Sequence, residues 1–325
     1  MTLGPEVVVC PQQGFTAFST YGTSPESPHR GRLAWTHFPE PTPGKGKTNP
    51  GELWIAGRDA AQPIKLTDLQ DIDAHNGARA DWVDEDVLLY FDDGQAKVRR
   101  ADGTLLHAKP GLPGERTWGN LVLVFQPDLT DPTDGLYVLD VRSGEYTQVL
   151  SRRRLLALQS GRLTHPRFSP GGRYIGFCLG EDFYSMETRP GAQPQRLGLA
   201  PMHWLWYDEE TIAGHTSSWG LGKRYSLDGG VIETLSGMGN HMGVSPEGGW
   251  IASETDYGSV PVVLTLFQCG STQGTEVFRS PYAEAAWEVV CHVNPAFARD
   301  SSRIYYNKPT GPRMVQACYR DILSV

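Results

Sequence analysis

Short apolar and aromatic runs, each closed by a cluster of turn-forming residues, recur from one end of the chain to the other. Gly135-Leu136-Tyr137-Val138-Leu139-Asp140-Val141, a Ser143-Gly144-Glu145 break and Tyr146-Thr147-Gln148-Val149-Leu150 read as two strands joined by a tight turn. A long helical period is missing, and only Arg152 to Leu158 suggests a helix, a short one. The 37 glycines and 24 prolines are dispersed among the breaks, which fits many short strands rather than a disordered chain.

The runs repeat. Thr164-His165-Pro166-Arg167-Phe168-Ser169-Pro170-Gly171-Gly172-Arg173-Tyr174-Ile175 aligns with Asn240-His241-Met242-Gly243-Val244-Ser245-Pro246-Glu247-Gly248-Gly249-Trp250-Ile251, with Ser-Pro-x-Gly in register. Asn294-Pro295-Ala296-Phe297-Ala298-Arg299-Asp300 before Arg303-Ile304-Tyr305-Tyr306 keeps the pattern with asparagine in the histidine position. Weaker copies are His203-Trp204-Leu205-Trp206-Tyr207-Asp208, Ser27-Pro28 before Arg32-Leu33-Ala34-Trp35, Asp81-Trp82-Val83 before Val87-Leu88-Leu89-Tyr90, and Trp118-Gly119-Asn120 before Leu121-Val122-Leu123-Val124-Phe125. About seven units at periods of roughly 40–50 residues predict an all-β, seven-bladed β-propeller of four-stranded antiparallel blades. Residues 1–325 are then expected to form one closed domain, with Val7-Val8-Val9-Cys10 adding a strand to the last blade and Pro39 to Gly51 forming an excursion within the first.

Charge and composition narrow the partners. A formal charge of −8 argues against nucleic acid, and Arg152-Arg153-Arg154, the one dense basic run, reads as a solvated turn at a blade edge. No apolar run approaches the ~20 residues of a membrane helix. The N-terminus lacks the features of a secretion signal, so a cytoplasmic location is expected. The five cysteines lack C-x-x-C spacing, against a disulfide framework or zinc knuckle.

His165, His203 and His241 stand 38 residues apart, each at the start of a strand-like run. In a propeller that position borders one mouth of the central channel, so the three imidazoles are expected to converge. Asn294 takes the same place in the last blade, His292 stands two residues ahead of it, and His75 and Arg79 precede the strand of the second. Imidazoles bind divalent transition metals and, with an unperturbed pKa near 6.5, also transfer protons near neutrality. Arg167, Trp204, Trp206 and Tyr257 accompany them. Trp206 reads as core, whereas Trp204 is balanced between packing and a stacking platform for a sugar. Capping of strand turns is the alternative role for each histidine.

His165-Pro166-Arg167 with Gly176-Phe177-Cys178, Asn240-His241 with Val244-Ser245, and Cys291-His292-Val293-Asn294-Pro295 resemble the oligogalacturonate lyases. The resemblance is clearest in the second half of the chain. It implies a cytoplasmic seven-bladed propeller that cleaves uronate oligosaccharides by β-elimination, with a divalent metal, usually manganese, at the channel mouth. It further implies His241 and His292 as metal ligands, with Asn294 replacing a family histidine, Val289 replacing a family glutamine, and Glu288 adjacent. The family's arginine base has no match in the rewritten segment after Cys178. On this reading His203 or His165 is the base, Arg167 or Arg79 clamps the carboxylate, Tyr257 protonates the leaving oxygen, and His75, Arg79 and Trp204 hold an acidic oligosaccharide. A propeller hydrolase acting on rhamnose–glucuronate linkages and a sugar-binding or scaffold propeller remain as alternatives; a hydrolase usually needs a carboxylate pair, and none is evident at the channel positions.

Overall fold

A computed structural model describes residues 2–10, 14–39, 49–197, 202–215, 222–235, 241–255, 260–282, 292–311 and 314–323. Their strands form seven antiparallel sheets, the blades of a propeller. Blade 1 runs from Phe15–Ala17 to Ile64–Ile72, blade 2 from Asp81–Trp82 to Leu105–Pro110, and blade 3 from Leu112–Pro113 to Tyr146–Ser151. Blade 4 runs from Leu163–Phe168 to Gln195–Arg196, blade 5 from Met202–Trp206 to Val231–Thr234, and blade 6 from Met242–Val244 to Gly274–Ser280. Blade 7 takes Ala296–Phe297, Arg303–Gly311 and Met314–Leu323 from the end of the chain. Its outer edge is covered by the start of the chain: Thr2–Leu3 and Val7–Val8 both pair antiparallel with Met314–Leu323. This joins the two ends of the chain in one sheet and pairs the edge of the last blade.

The turn after each inner strand shows why the repeat was legible. In blade 4 the Ser169 amide donates to the Tyr174 carbonyl, the Ser169 hydroxyl accepts from the Tyr174 amide, and Gly172 closes the turn at φ 73°. Ser245, Trp250 and Gly248 reproduce these contacts in blade 6. The Ser27-Pro28 copy does so in blade 1, with Arg30 at φ 65° in the glycine position. A serine that caps the turn and a residue able to enter the left-handed region are what this geometry requires.

The core lies between blades. Phe183 of blade 4 packs edge-on against Trp204 of blade 5 at 4.6 Å between ring centroids, and Trp206, Ile212 and Tyr225 complete that cluster. Phe278 of blade 6 stacks on Tyr306 of blade 7 at 5.0 Å. Removing a fully buried aromatic from such a seam costs about 3–5 kcal/mol. Arg152–Leu158 is a seven-residue helix capped by Ser151. The basic run is therefore its first turn, where Arg152 and Arg154 donate to the backbone carbonyls of Leu129 and Ala192, rather than a free solvated turn. Residues 40–48 of the predicted excursion lie outside the described residues, and Asn49–Gly57 already belongs to a strand. Cys10, Cys178, Cys269 and Cys318 are free thiols. No helix among the described residues is long and apolar enough to cross a membrane.

Candidate functional site

The start of the inner strand is bulged in blades 4 and 5. Pairing skips from Thr164 to Arg167 and from Met202 to Leu205, and the extra residues His165 and His203 adopt φ 51° and 49°. Arg79 and Asn294, at the same position in blades 2 and 7, adopt φ 49° and 47°. Bulges redirect a side chain, and left-handed backbone at a non-glycine residue costs of order 1–3 kcal/mol, a strain that clusters at functional sites. Here four blades adopt it at one level of the channel.

The imidazoles do converge. His75, His292, His241 and His203 form a chain in which neighbouring ring centroids are 4.3 Å apart, and His215 adds to it with Nε2 3.3 Å from Nδ1 of His203. His241, His292 and His215 are buried, while His75, Arg79, His165 and His203 are half-buried at the rim. Burial, and after it the neighbouring imidazoles of His292, His203, His75 and His165, push the His241 pKa well below 6.5, which leaves it as the neutral, ligating form.

One ligand atom each from His241, Glu254 and His292 lies within 4.8 Å of the other two, and all three residues are buried. The Glu254 carboxylate is 2.5 Å from Nδ1 of His241 and also accepts the His241 amide at 3.1 Å. That contact leaves no room for a cation between Nδ1 and Oε1, so His241 has its Nε2 to offer and Glu254 its other oxygen. Two imidazoles and a carboxylate suit a manganese-class divalent cation. The residues present therefore fit such a metal. Asn294, the third donor expected from the sequence, is 2% exposed, and its Nδ2 makes no hydrogen bond among the described residues. Glu254, which sequence reasoning missed, is the charged group beside the two histidines.

A second buried carboxylate, Glu115, organises the neighbouring sector. His165 Nδ1 lies 2.8 Å from its Oε1, Arg79 lies 3.5 Å from the same oxygen, and Arg167 pairs with Oε2. Burial alone would raise the Glu115 pKa, but Arg167, His165 and Arg79 outweigh it and hold the carboxyl well below its usual range. An ionised carboxylate only accepts, so His165 donates to it from Nδ1.

Tyr21 fills the centre of the ring. It arrives on residues 18–25, a loop that interrupts the inner strand of blade 1 between Phe15–Ala17 and the Glu26–Leu33 bridge. Its ring centroid lies 4.9 Å from that of His241, 5.8 Å from His203 and 6.1 Å from His165. The Arg167 guanidinium sits 4.6 Å from it, and its hydroxyl donates to the Trp204 carbonyl at 3.4 Å. Burial raises the phenol pKa well above 10.

These placements divide the remaining expectations. Arg167 is only 3% exposed, committed to Glu115 and packed on Tyr21 and Trp204, so it braces the site from within. Arg79 keeps a side chain 19% exposed and is the cation at the rim. Trp204 is 0% exposed, sealed between Phe183 and Trp206, which makes it a packing residue and not a stacking platform. Trp206 is core, as expected. Tyr257 and Glu288 lie outside the described residues.

Among solved structures, an oligogalacturonate lyase from Vibrio parahaemolyticus matches with a TM-score of 0.71 at 12% identity, covering 100% of this chain and 98% of that one. An oligogalacturonate lyase in complex with manganese matches with a TM-score of 0.69 at 14% identity, over 100% and 99% of the two chains. The WD40 domain of Pan2 from Neurospora crassa gives 0.59 at 10% identity, over 100% and 96%. No family model matches the chain, and no curated protein matches it in sequence. The chain thus shares the fold of the oligogalacturonate lyase propellers over its full length, at a sequence distance where likeness speaks for architecture and not for activity.

Proposed function

We propose that this protein is a lyase that cleaves acidic, uronate-containing oligosaccharides by β-elimination at the histidine-lined mouth of its channel. The observation that carries the reading is the meeting, at one mouth, of a buried His241–Glu254–His292 donor set with a rim of His75, Arg79, His165 and His203. Elimination from a uronate needs positive charge at the carboxylate and a base for the weakly acidic C5 proton.

Arg79 neutralises the carboxylate. It is the rim guanidinium, and Glu115 ties it to the same oxygen that orients His165, so clamp and base are fixed relative to one another. His165 Nε2 takes the C5 proton, the C–H electron pair forms the C4–C5 double bond, and the C4–oxygen bond breaks as its oxygen takes a proton from water, the imidazolium later returning its own proton to solvent. Glu115 stabilises the imidazolium so formed, in the way a buried carboxylate supports a catalytic histidine. A divalent cation held by His241, Glu254 and His292, with Asn294 beside them, would supply further positive charge next to the carboxylate. His75 and His203 contact the sugar from either side.

The reading is tested on His165→Ala. With oligogalacturonate as substrate and ultraviolet absorbance of the conjugated product as readout, kcat is expected to fall by roughly 10²–10⁴ with little change in KM. An unchanged rate would remove His165 from the mechanism and move the base to His203.

A further inference from the structure

The channel has a second mouth, at the Ser-Pro-turn end of the inner strands. It holds a cavity of about 70 Å³ whose walls include Thr23, Ser24, Asp81, Arg116, Ser245 and Arg299. A water needs ~15 Å³ of such a cavity, so the space takes several waters or one small oxyanion. Tyr21, Arg167 and Glu115 stand between this cavity and the histidines.

The charges here are unevenly satisfied. Among the described residues the Arg116 guanidinium makes no hydrogen bond and no ion pair, although it is half-buried and lines the cavity. Every acid within its reach is engaged elsewhere. Asp81 lies 3.5 Å from Arg299 and accepts the Thr117 amide at 2.9 Å. Glu115 is held by Arg167, His165 and Arg79. Glu209 accepts from the Ser169 hydroxyl and the Gly171 and Arg173 amides. Burial and the neighbouring Arg299 push the Arg116 pKa down to about 10, as expected of a cation with too little opposing charge. The guanidinium stays protonated and, although Asp81 and Glu209 attract it from a distance, no carboxylate among the described residues pairs with it directly.

We propose that this second mouth is an anion-binding site in which Arg116, supported by Arg299 and the Ser24 and Ser245 hydroxyls, holds a small oxyanion, either a phosphate or the carboxylate of a sugar acid. Guanidinium matches both in geometry, through paired N–H donors. The inference is independent of the lyase reading, because it concerns the other mouth and is read by binding.

Calorimetric titration of inorganic phosphate, and separately of galacturonate, into the full-length protein tests it. At least one of the two is expected to bind saturably and to lose roughly tenfold or more in affinity in Arg116→Gln. Arg116→Lys keeps the charge, should retain weakened binding, and serves if the glutamine variant does not fold. Which anion binds identifies the source. Saturable binding of neither, or equal affinity in wild type and Arg116→Gln, would overturn the proposal.

Discussion

Replacing His241 with alanine is expected to weaken manganese binding by roughly a hundredfold or more and to reduce uronate cleavage at least in proportion. His241 is the middle member of the histidine chain, between His203 and His292, and the residue that Glu254 addresses through both ring and backbone. Alanine removes one imidazole donor and also leaves the Glu254 carboxylate, in a fully buried position, without its ring partner. A stability loss of about 1–3 kcal/mol should therefore accompany the loss of metal. His241→Gln, which restores a polar group to Glu254, should recover part of that stability without recovering affinity. Manganese titration followed by electron paramagnetic resonance, with a thermal melt of each variant, separates the two effects. Undiminished manganese affinity in a folded alanine variant would remove His241 from the metal site.

A large effect on stability is expected from Glu115→Gln. Glu115 and Arg167 are each 3% exposed, and the carboxylate is the countercharge of a guanidinium enclosed by Tyr21 and Trp204. Neutralising one member of a buried pair strands the other, at a cost of about 3–5 kcal/mol. The pH dependence has a definite sign. The folded-state pKa of Glu115 lies below the unconstrained value of 4.5, so its ionisation stabilises the fold fully above that pH. The contribution is lost as pH falls from about 4.5 toward the depressed folded value. Melting temperature against pH should therefore drop more steeply through the acid limb in wild type than in Glu115→Gln, with the two curves converging at low pH. Parallel curves would mean that Glu115 is not the ionised partner of Arg167.

Much of the architecture was legible because the repeat is chemical as well as periodic. Ser169-Pro170-Gly171-Gly172 and Ser245-Pro246-Glu247-Gly248 each need a capping serine and a left-handed residue, so the turn leaves the same trace in each copy. The converging histidines followed, since residues at one register of a propeller face one channel level. Glu254 escaped notice because it lies on the second strand of its blade, yet the same register marks it. Ile175, Ile212, Ile251 and Ile304 pair with the ends of four inner strands, and the third residue after each is Cys178, His215, Glu254 and Asn307. This second tier sits beneath the first: His215 meets His203, Glu254 meets His241, and Asn307 donates to the His292 carbonyl. Its Cys178 thiol, pushed up to about 12 by burial, stays protonated.

Glu115 and Tyr21 were hidden for a different reason. Glu115 stands in blade 3, where the inner strand is reduced to Leu112–Pro113 and the repeat is too degenerate to set a register. Tyr21 belongs to an insertion within a strand, and only the closed ring brings that loop to the axis. Trp204, balanced on sequence between packing and a stacking platform, proves to be packing because it stands two residues before the core Trp206 and shares its face, turned into the seam between blades.

The most direct test of the central claim is ultraviolet absorbance of wild-type protein incubated with a panel of uronate oligosaccharides, once with manganese and once after chelation. The account predicts a rise from the conjugated, unsaturated uronate on at least one substrate, larger with manganese. Sugar binding or hydrolysis without any such rise would contradict it and return the histidine ring to a hydrolytic or purely binding role.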